Sequence, residues 1–253
     1  METDIRKEKP MTQDALSINH LRKGYGKTLA VDDVSFSIKE GEFFGFLGPN
    51  GAGKTTTIQC ITGVSNFSEG DIAVFGFDVK KQYRDARLQI GLSPQEFTID
   101  LFMKVKDVFD YMAGYYGMRG DERKKRVTHI IHTFELQEHA EKQFRMLSGG
   151  LKRRVMMGRA LVHDPKLIIL DEPTAGVDVE LRHDIWRYLR DLNRAGKTIL
   201  LTSHYLEEVE KLCSRIGIIY GGKMVALGDK EDFLDGGKTL EEKYFEITGN
   251  HAK

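Results

Sequence analysis

Hydrophobic and polar positions along the chain fall into three regimes. Between Leu16 and Leu47 the pattern is strand-like, and Val34, Phe36 and Ile38 alternate with polar neighbours as in a half-buried antiparallel strand. The segment KEGE at 39–42 predicts a turn, and the nearly continuous apolar run Phe43–Leu47 predicts a buried strand after it. Gly48 to Gly53 is a glycine-rich loop. A helix is expected from Lys54 to about Thr62, stopped by Gly63, a residue suited to the left-handed turn that closes helices. Further strands are expected at Asp71–Phe75 and Gln89–Leu92.

The period then changes. Val105, Val108, Phe109, Met112 and Tyr116 recur at helical spacing, as do Val127, Ile130, Ile131 and Phe134, so residues from about 97 to 160 read as a helical subdomain. The charge run Asp121–Arg126 is expected to be a solvated turn between two of those helices. After Pro165 the short apolar runs Leu167–Leu170 and Thr198–Thr202 suit buried parallel strands, and Ile216–Tyr220 adds another. Gly221 and Gly222 form a two-residue hairpin signal into Met224–Leu227. The expected organisation is a tail over 1–14, a core domain over 15–228 and an extension over 229–253.

Composition narrows the class. The chain has 253 residues, enough for one large domain or two small ones, with 40% apolar and 30% charged residues. Lys plus Arg (38) equals Asp plus Glu (38), which argues against a broad basic field for nucleic acid or anionic lipid. Cys60 and Cys213 form neither a metal pattern nor a disulfide framework and are expected to be buried apolar residues in a reducing compartment. The opening METDIRKEKP lacks the apolar core of a signal peptide, and no run approaches the roughly 20 apolar residues of a membrane span. The expected location is the cytosol, or a membrane surface reached through something else.

Three segments carry chemistry. Gly48, Pro49, Asn50, Gly51, Ala52, Gly53, Lys54 and Thr55 fit G-x-x-x-x-G-K-[ST] directly after a strand and before a helix. There, backbone N–H groups close around a phosphate, the helix N-terminus adds positive potential, Lys54 supplies a point charge and the Thr55 hydroxyl can ligate Mg²⁺. The run LIILDE places Asp171 and Glu172 at the C-terminal edge of an apolar strand, where α/β folds bind ligands. Asp171 suits the Mg²⁺ shell, and Glu172 suits the orientation and deprotonation of an attacking water. The third segment, MLSGGLKRR at 146–154, joins a hydroxyl (Ser148), two glycines (Gly149, Gly150) and three basic residues at an expected helix start, which is the chemistry of an anion site. Two glycines in good helix positions imply that something approaches that backbone closely. The fold class is therefore α/β: a P-loop NTPase core with a mainly parallel sheet, an N-terminal antiparallel β layer and an inserted α-helical subdomain.

Taken together, GPNGAGKTT (ending at Thr56), LSPQEF, LSGGLKRR, LIILDEPTAGVD and LLTSHYLEE resemble, in order and spacing, the ATP-binding subunit of an ABC transporter. The resemblance covers residues 16 to about 249. TAGVD and TLEEKYFEITG further resemble the type-2 exporter branch, which moves drugs, polysaccharides or lipids outward. It implies roles residue by residue. Tyr25 would stack on adenine, Gln95 would touch Mg²⁺ and the attacking water, and His204 would hydrogen-bond the γ-phosphate. Gly176 and Asp178 would cross to a neighbouring subunit. The Ser148 segment would face the γ-phosphate held by that neighbour's Lys54 loop, so that two copies trap two Mg-ATP between them. The partners implied are a second ATPase subunit, with a homodimer favoured, and a separately encoded integral-membrane permease docked near Phe102–Met118, with no nucleic acid. The place implied is the cytoplasmic face of the cell membrane.

One departure stands out: Leu151 occupies a position where that family most often has Gln, removing a polar contact of roughly 0.5–1.5 kcal/mol. Weaker dimer closure is the expected result. The competing reading is a non-transport ABC ATPase acting on ribosomes or DNA, disfavoured by the neutral charge and by a single ATPase unit without long coiled coils. A regulatory module without turnover is disfavoured by the presence of Glu172 and His204.

Overall fold

A computed structural model describes residues 14–251, so the expected tail lies, apart from Asp14, outside the described residues. The chain opens with two long antiparallel strands, β1 (Asp14–Tyr25) and β2 (Thr28–Lys39), registered so that Leu16 faces Ile38, Ile18 faces Phe36 and Leu21 faces Val34. That period-2 stripe is buried on one face. The fully buried β3 (Phe43–Leu47) follows, then α1 (Lys54–Ile61), closed by Gly63 in the left-handed region. β4 (Glu69–Val74), β5 (Phe77–Asp78), α2 (Tyr83–Leu88) and β6 (Ile90–Ser93) come next. The helical subdomain holds α3 (Val105–Tyr115), α4 (Gly120–Thr133) and α5 (Gly149–Leu161). The remainder is β7 (Leu167–Asp171), α6 (Val179–Arg194), β8 (Thr198–Thr202), α7 (Leu206–Leu212), β9 (Arg215–Tyr220), β10 (Lys223–Asp229), α8 (Lys230–Phe233) and α9 (Leu240–His251).

Two sheets form. One is antiparallel in the order β2-β1-β4-β5; the other runs β10-β9-β3-β8-β7-β6, with every pair parallel except β10 with β9. β3, β7 and β8 are buried at every residue because both faces of the parallel sheet are covered. On one face Phe44 and Phe46 stack against Phe36 of the antiparallel layer, each with ring centroids 5.3 Å apart. On the other, Leu201, Leu170 and Ile168 share a core with Trp186 of α6, Met156 of α5 and Phe109 of α3. Phe233 and Leu240 are buried in that same core, so α8 and α9 pack on the domain.

The charge run at 121–126 corrects the expectation of a turn: it forms the first two turns of α4. Asp121 and Glu122 sit where carboxylates favour a helix N-terminus. Arg123 pairs with Asp110 of α3, and Arg126 donates to the carbonyls of Leu161 (2.5 Å) and Val162 (2.6 Å), closing the C-terminal end of α5. The apolar period begins only at Val127, so these tertiary partners were not visible in it.

Candidate active site

The glycine-rich loop turns sharply out of β3 into α1. Gly53 lies at φ 110°, and a Cβ there would meet the Ala30 carbonyl oxygen at 2.6 Å, so only glycine fits. The loop wraps a cleft of about 310 Å³ lined by Asn50 to Thr56 together with Ala30, Gln95 and Glu172. No acidic residue occupies the first turn of α1, leaving its N–H groups and positive dipole end for an anion. The Lys54 ammonium is buried and donates to the carbonyls of Gly48 (2.6 Å) and Pro49 (3.1 Å). Burial pushes its pKa down, while Glu172 and Asp171 pull it back up.

Opposite stands the acidic pair. Asp171, the last residue of β7, accepts from Thr202 Oγ1 at 2.5 Å and from Thr55 Oγ1 at 3.2 Å, so each carboxylate oxygen is held. Glu172 sits at φ 51°, a conformation costing a non-glycine residue about 1–2 kcal/mol, and its N–H is fixed on the Thr202 carbonyl at 3.0 Å. Its Oε2 accepts from Gln95 Nε2 at 2.9 Å and lies 3.2 Å from His204 Nδ1. The topology explains this meeting. β6, β7 and β8 are adjacent parallel strands, and Gln95, Glu172 and His204 lie one or two residues past their C-terminal ends.

The Thr55 hydroxyl and Asp171 carboxylate together fit Mg²⁺, a hard cation that binds through one or two protein oxygens plus substrate phosphates. No group of three or more His, Cys, Asp or Glu able to hold a metal occurs among the described residues.

Ser148, Gly149, Gly150, Gly176 and Asp178 come together elsewhere. They line a separate cleft of about 550 Å³ that shares no residue with the phosphate-loop cleft. Ser148 caps α5 by accepting from Leu151 N–H at 3.3 Å, and Asp178 caps α6 by accepting from Leu181 N–H at 2.8 Å. The two glycines part company here. A Cβ on Gly150 would fall 2.2 Å from Leu181 Cδ2 of the same chain, whereas one on Gly149 would meet nothing within 4 Å. A side chain at Gly150 would thus have to displace the tip of Leu181, whereas Gly149 leaves open space for an outside group. Leu151 is half-buried against the main core, a packing role that glutamine fills poorly.

The basic triplet also departs from the expected anion site. Arg154 pairs with Glu135 (2.5 Å) and Asp184 (3.9 Å). Arg153 is buried and donates to the carbonyls of Pro94 (3.2 Å) and Gln95 (3.4 Å), tying the start of α5 to the loop that carries Gln95. Burial pushes its pKa down against the pull of Glu172 and Asp171. A guanidinium in the middle of a basic run gave no signal that it turns inward. Tyr25 stands at the end of β1, half exposed, its hydroxyl 3.4 Å from Gln59 and Ser65 and the Lys23 ammonium 4.5 Å over its ring. It flanks α1 and does not line the phosphate-loop cleft. Cys60 and Cys213 are free and buried, as expected.

A glycine-rich loop between a buried parallel strand and a helix, faced by an acidic pair on a nearby parallel strand, defines a P-loop nucleoside triphosphatase. Residues 31–175 match the ABC transporter family model. The linearmycin resistance ATP-binding protein LnrL of Bacillus subtilis is 42% identical over 227 residues, covering 89% of this chain and 73% of that protein. The Nod factor export ATP-binding protein I of Cupriavidus pinatubonensis is 38% identical, covering 89% and 70%. Among solved structures, an ATP-binding subunit of an ABC transporter superposes with TM-score 0.85 at 28% identity, covering 92% of this chain and 99% of that one. A dimeric, post-hydrolysis ATP-binding cassette bound to ADP and Pi superposes with TM-score 0.77 at 27% identity, covering 85% and 98%. The chain belongs to the ABC transporter family, as an ATP-binding ATPase subunit.

Proposed function

We propose that two copies of this chain close on two Mg-ATP and, by hydrolysing them, drive export through a separate membrane-spanning permease. The observation that carries this reading is the convergence of Gln95 and His204 on one oxygen of Glu172, beside the phosphate-loop cleft. Glu172 takes the proton of the attacking water; Gln95 and His204 hold that water and the terminal phosphate around it. Lys54 leaves the Gly48 and Pro49 carbonyls for the β- and γ-phosphates. Thr55 and Asp171 would hold Mg²⁺, which would supply charge neutralisation on the phosphate oxygens.

The separate cleft of Ser148, Gly149 and Asp178 supports a composite site, in which it faces the phosphate held by the other copy. The dimeric relative bound to ADP and Pi supports the pairing of two copies. No helix among the described residues is long and apolar enough to cross a membrane. In this reading a separate permease carries the transport path and the chain works at the cytoplasmic face of the membrane, as membership of the ABC transporter family suggests. The exposed Phe102, Tyr111 and Tyr115 on and before α3 form its docking surface. Outward transport follows the relatives named for resistance and export. The test is phosphate release by the purified chain: Glu172→Gln should keep ATP binding and lose turnover. Undiminished turnover would exclude Glu172 as the base.

A further inference from the structure

Glu208, in the first turn of α7, takes no part in the chemistry above, yet it is completely buried and fully occupied. Its Oε2 accepts from Ser203 Oγ at 2.6 Å and from Thr174 Oγ1 at 3.1 Å, and its Oε1 accepts from Trp186 Nε1 at 2.9 Å. Burying a carboxylate is costly, and an apolar side chain of similar size would hold α7 at less expense. Burial pushes the Glu208 pKa up, and the three donors pull it back. The donors have a pattern. Ser203 immediately precedes His204, Thr174 lies two residues past Glu172, and Trp186 stands on α6, which Asp178 caps.

A second contact runs alongside. The Arg182 guanidinium of α6 lies 4.5 Å over the Tyr205 ring, which in turn sits 4.1 Å from the His204 ring. Tyr205 N–H donates to Ser203 Oγ at 3.0 Å, so the Ser203 hydroxyl is at once donor to Glu208 and acceptor from the turn that presents His204. His204 itself is half exposed, held by Glu172 on one side and by the Tyr205 ring on the other.

We propose that Glu208 is a positioning residue for ATP hydrolysis: it locks the turn bearing His204 to the loop after Glu172 and to α6, so that movement of segment 176–178 reaches His204. This rests on the ATPase reading above. Glu208 touches neither substrate nor Glu172; it acts through Ser203 and Thr174. In the dimer, whatever displaces Asp178 tilts the N-terminal end of α6, and Trp186 and Arg182 carry that displacement to Ser203 and Tyr205.

Glu208→Gln keeps the size of the side chain but turns one acceptor oxygen into a donor facing groups that already donate. In the full-length chain it should lower kcat on the order of tenfold, since small misplacements of a reacting group have effects of that size or larger. Assayed well below the melting temperature, which the mispaired buried donor lowers by a few degrees, the KM for ATP should stay near wild type, and amide hydrogen exchange at residues 203–205 should rise. Ser203→Ala, which cuts the link from the other side, should give the same split, and Ser203→Thr, which keeps a hydroxyl, should restore kcat. If Glu208→Gln does not fold, the Ser203 pair decides. Unchanged kcat with unchanged exchange, or a kcat loss that vanishes when the assay is run well below the melting temperature, overturns the proposal. A wild-type chain that binds but never hydrolyses ATP would instead overturn the ATPase reading, and the exchange data would still test the link.

Discussion

Gly149 and Gly150 are neighbours at the start of α5, and the structure assigns them opposite consequences when replaced by alanine. In an isolated copy, a Cβ on Gly149 enters open space, so Gly149→Ala gains helix propensity worth up to about 1 kcal/mol. A Cβ on Gly150 falls 2.2 Å from Leu181 Cδ2, and Leu181 is only half-buried, so its terminal methyl must swing aside. Overpacking a core costs about 1–3 kcal/mol; a half-buried leucine tip gives more easily, so about 1–2 kcal/mol is expected here, offset by a propensity gain of up to about 1 kcal/mol. At about 2–4 °C per kcal/mol for a chain of this size, Gly150→Ala should lower the melting temperature by up to about 8 °C, while Gly149→Ala leaves it level or slightly raised. Adding Leu181→Ala should relieve the clash in Gly150→Ala. Dimerisation should invert the order of severity per unit of stability. Gly149→Ala, the stable variant, should lose ATP-dependent dimer formation and turnover, because its methyl stands where the other copy's phosphate must approach. Scanning calorimetry and light scattering with ATP read the two effects separately. A Gly149→Ala protein that is stable, dimerises with ATP and turns over normally would refute the composite site.

Lys54→Ala should abolish nucleotide binding in equilibrium dialysis, since the ammonium is the cation of the phosphate-loop cleft. Leu151→Gln adds a donor at the Ser148 cleft and should tighten the ATP-bound dimer by roughly 0.5–1.5 kcal/mol, at the cost of a lower melting temperature from lost packing; a lower melting temperature with unchanged dimer affinity would make Leu151 a packing residue alone. His163 stacks on Tyr116 at 3.6 Å and its Nε2 lies 2.9 Å from the Ile90 carbonyl oxygen; burial pushes its pKa down to about 4. The folded state therefore binds fewer protons than the unfolded state between pH 4 and 6.5, so stability rises with pH across that window, by up to about 3 kcal/mol. His163→Phe, which keeps the stack, should flatten that part of a urea-unfolding pH profile.

Strand positions were legible because burial imposes a simple period. β3 and β8 begin and end where their apolar runs do, and β1 and β2 follow their alternation. The phosphate loop was legible because its chemistry is contiguous. The meeting of Gln95, Glu172 and His204 was not, since it depends on β6, β7 and β8 being neighbours, and adjacency of parallel strands leaves no local mark. Only the resemblance to a family supplied it. Charged residues were the least legible. Arg126 read as solvated surface, Arg153 as part of an anion site, and Glu208 gave no signal; each is turned inward by partners distant in sequence. The same limit explains Gly150, whose close neighbour is a leucine on another helix.

The central claim is that the cleft around Ser148 completes the phosphate-loop cleft of a second copy. Cys60 and Cys213 are both buried, which leaves introduced cysteines as the reactive ones in the folded chain. In a Glu172→Gln background, one preparation would carry Asn50→Cys and another Ser148→Cys; both positions are exposed. The mixed preparations would be treated with a short bis-maleimide and resolved by mass. The account predicts a covalent dimer containing one copy of each, formed with Mg-ATP and absent with ADP. Cross-linking that is indifferent to nucleotide, or no mixed dimer with Mg-ATP, would contradict it.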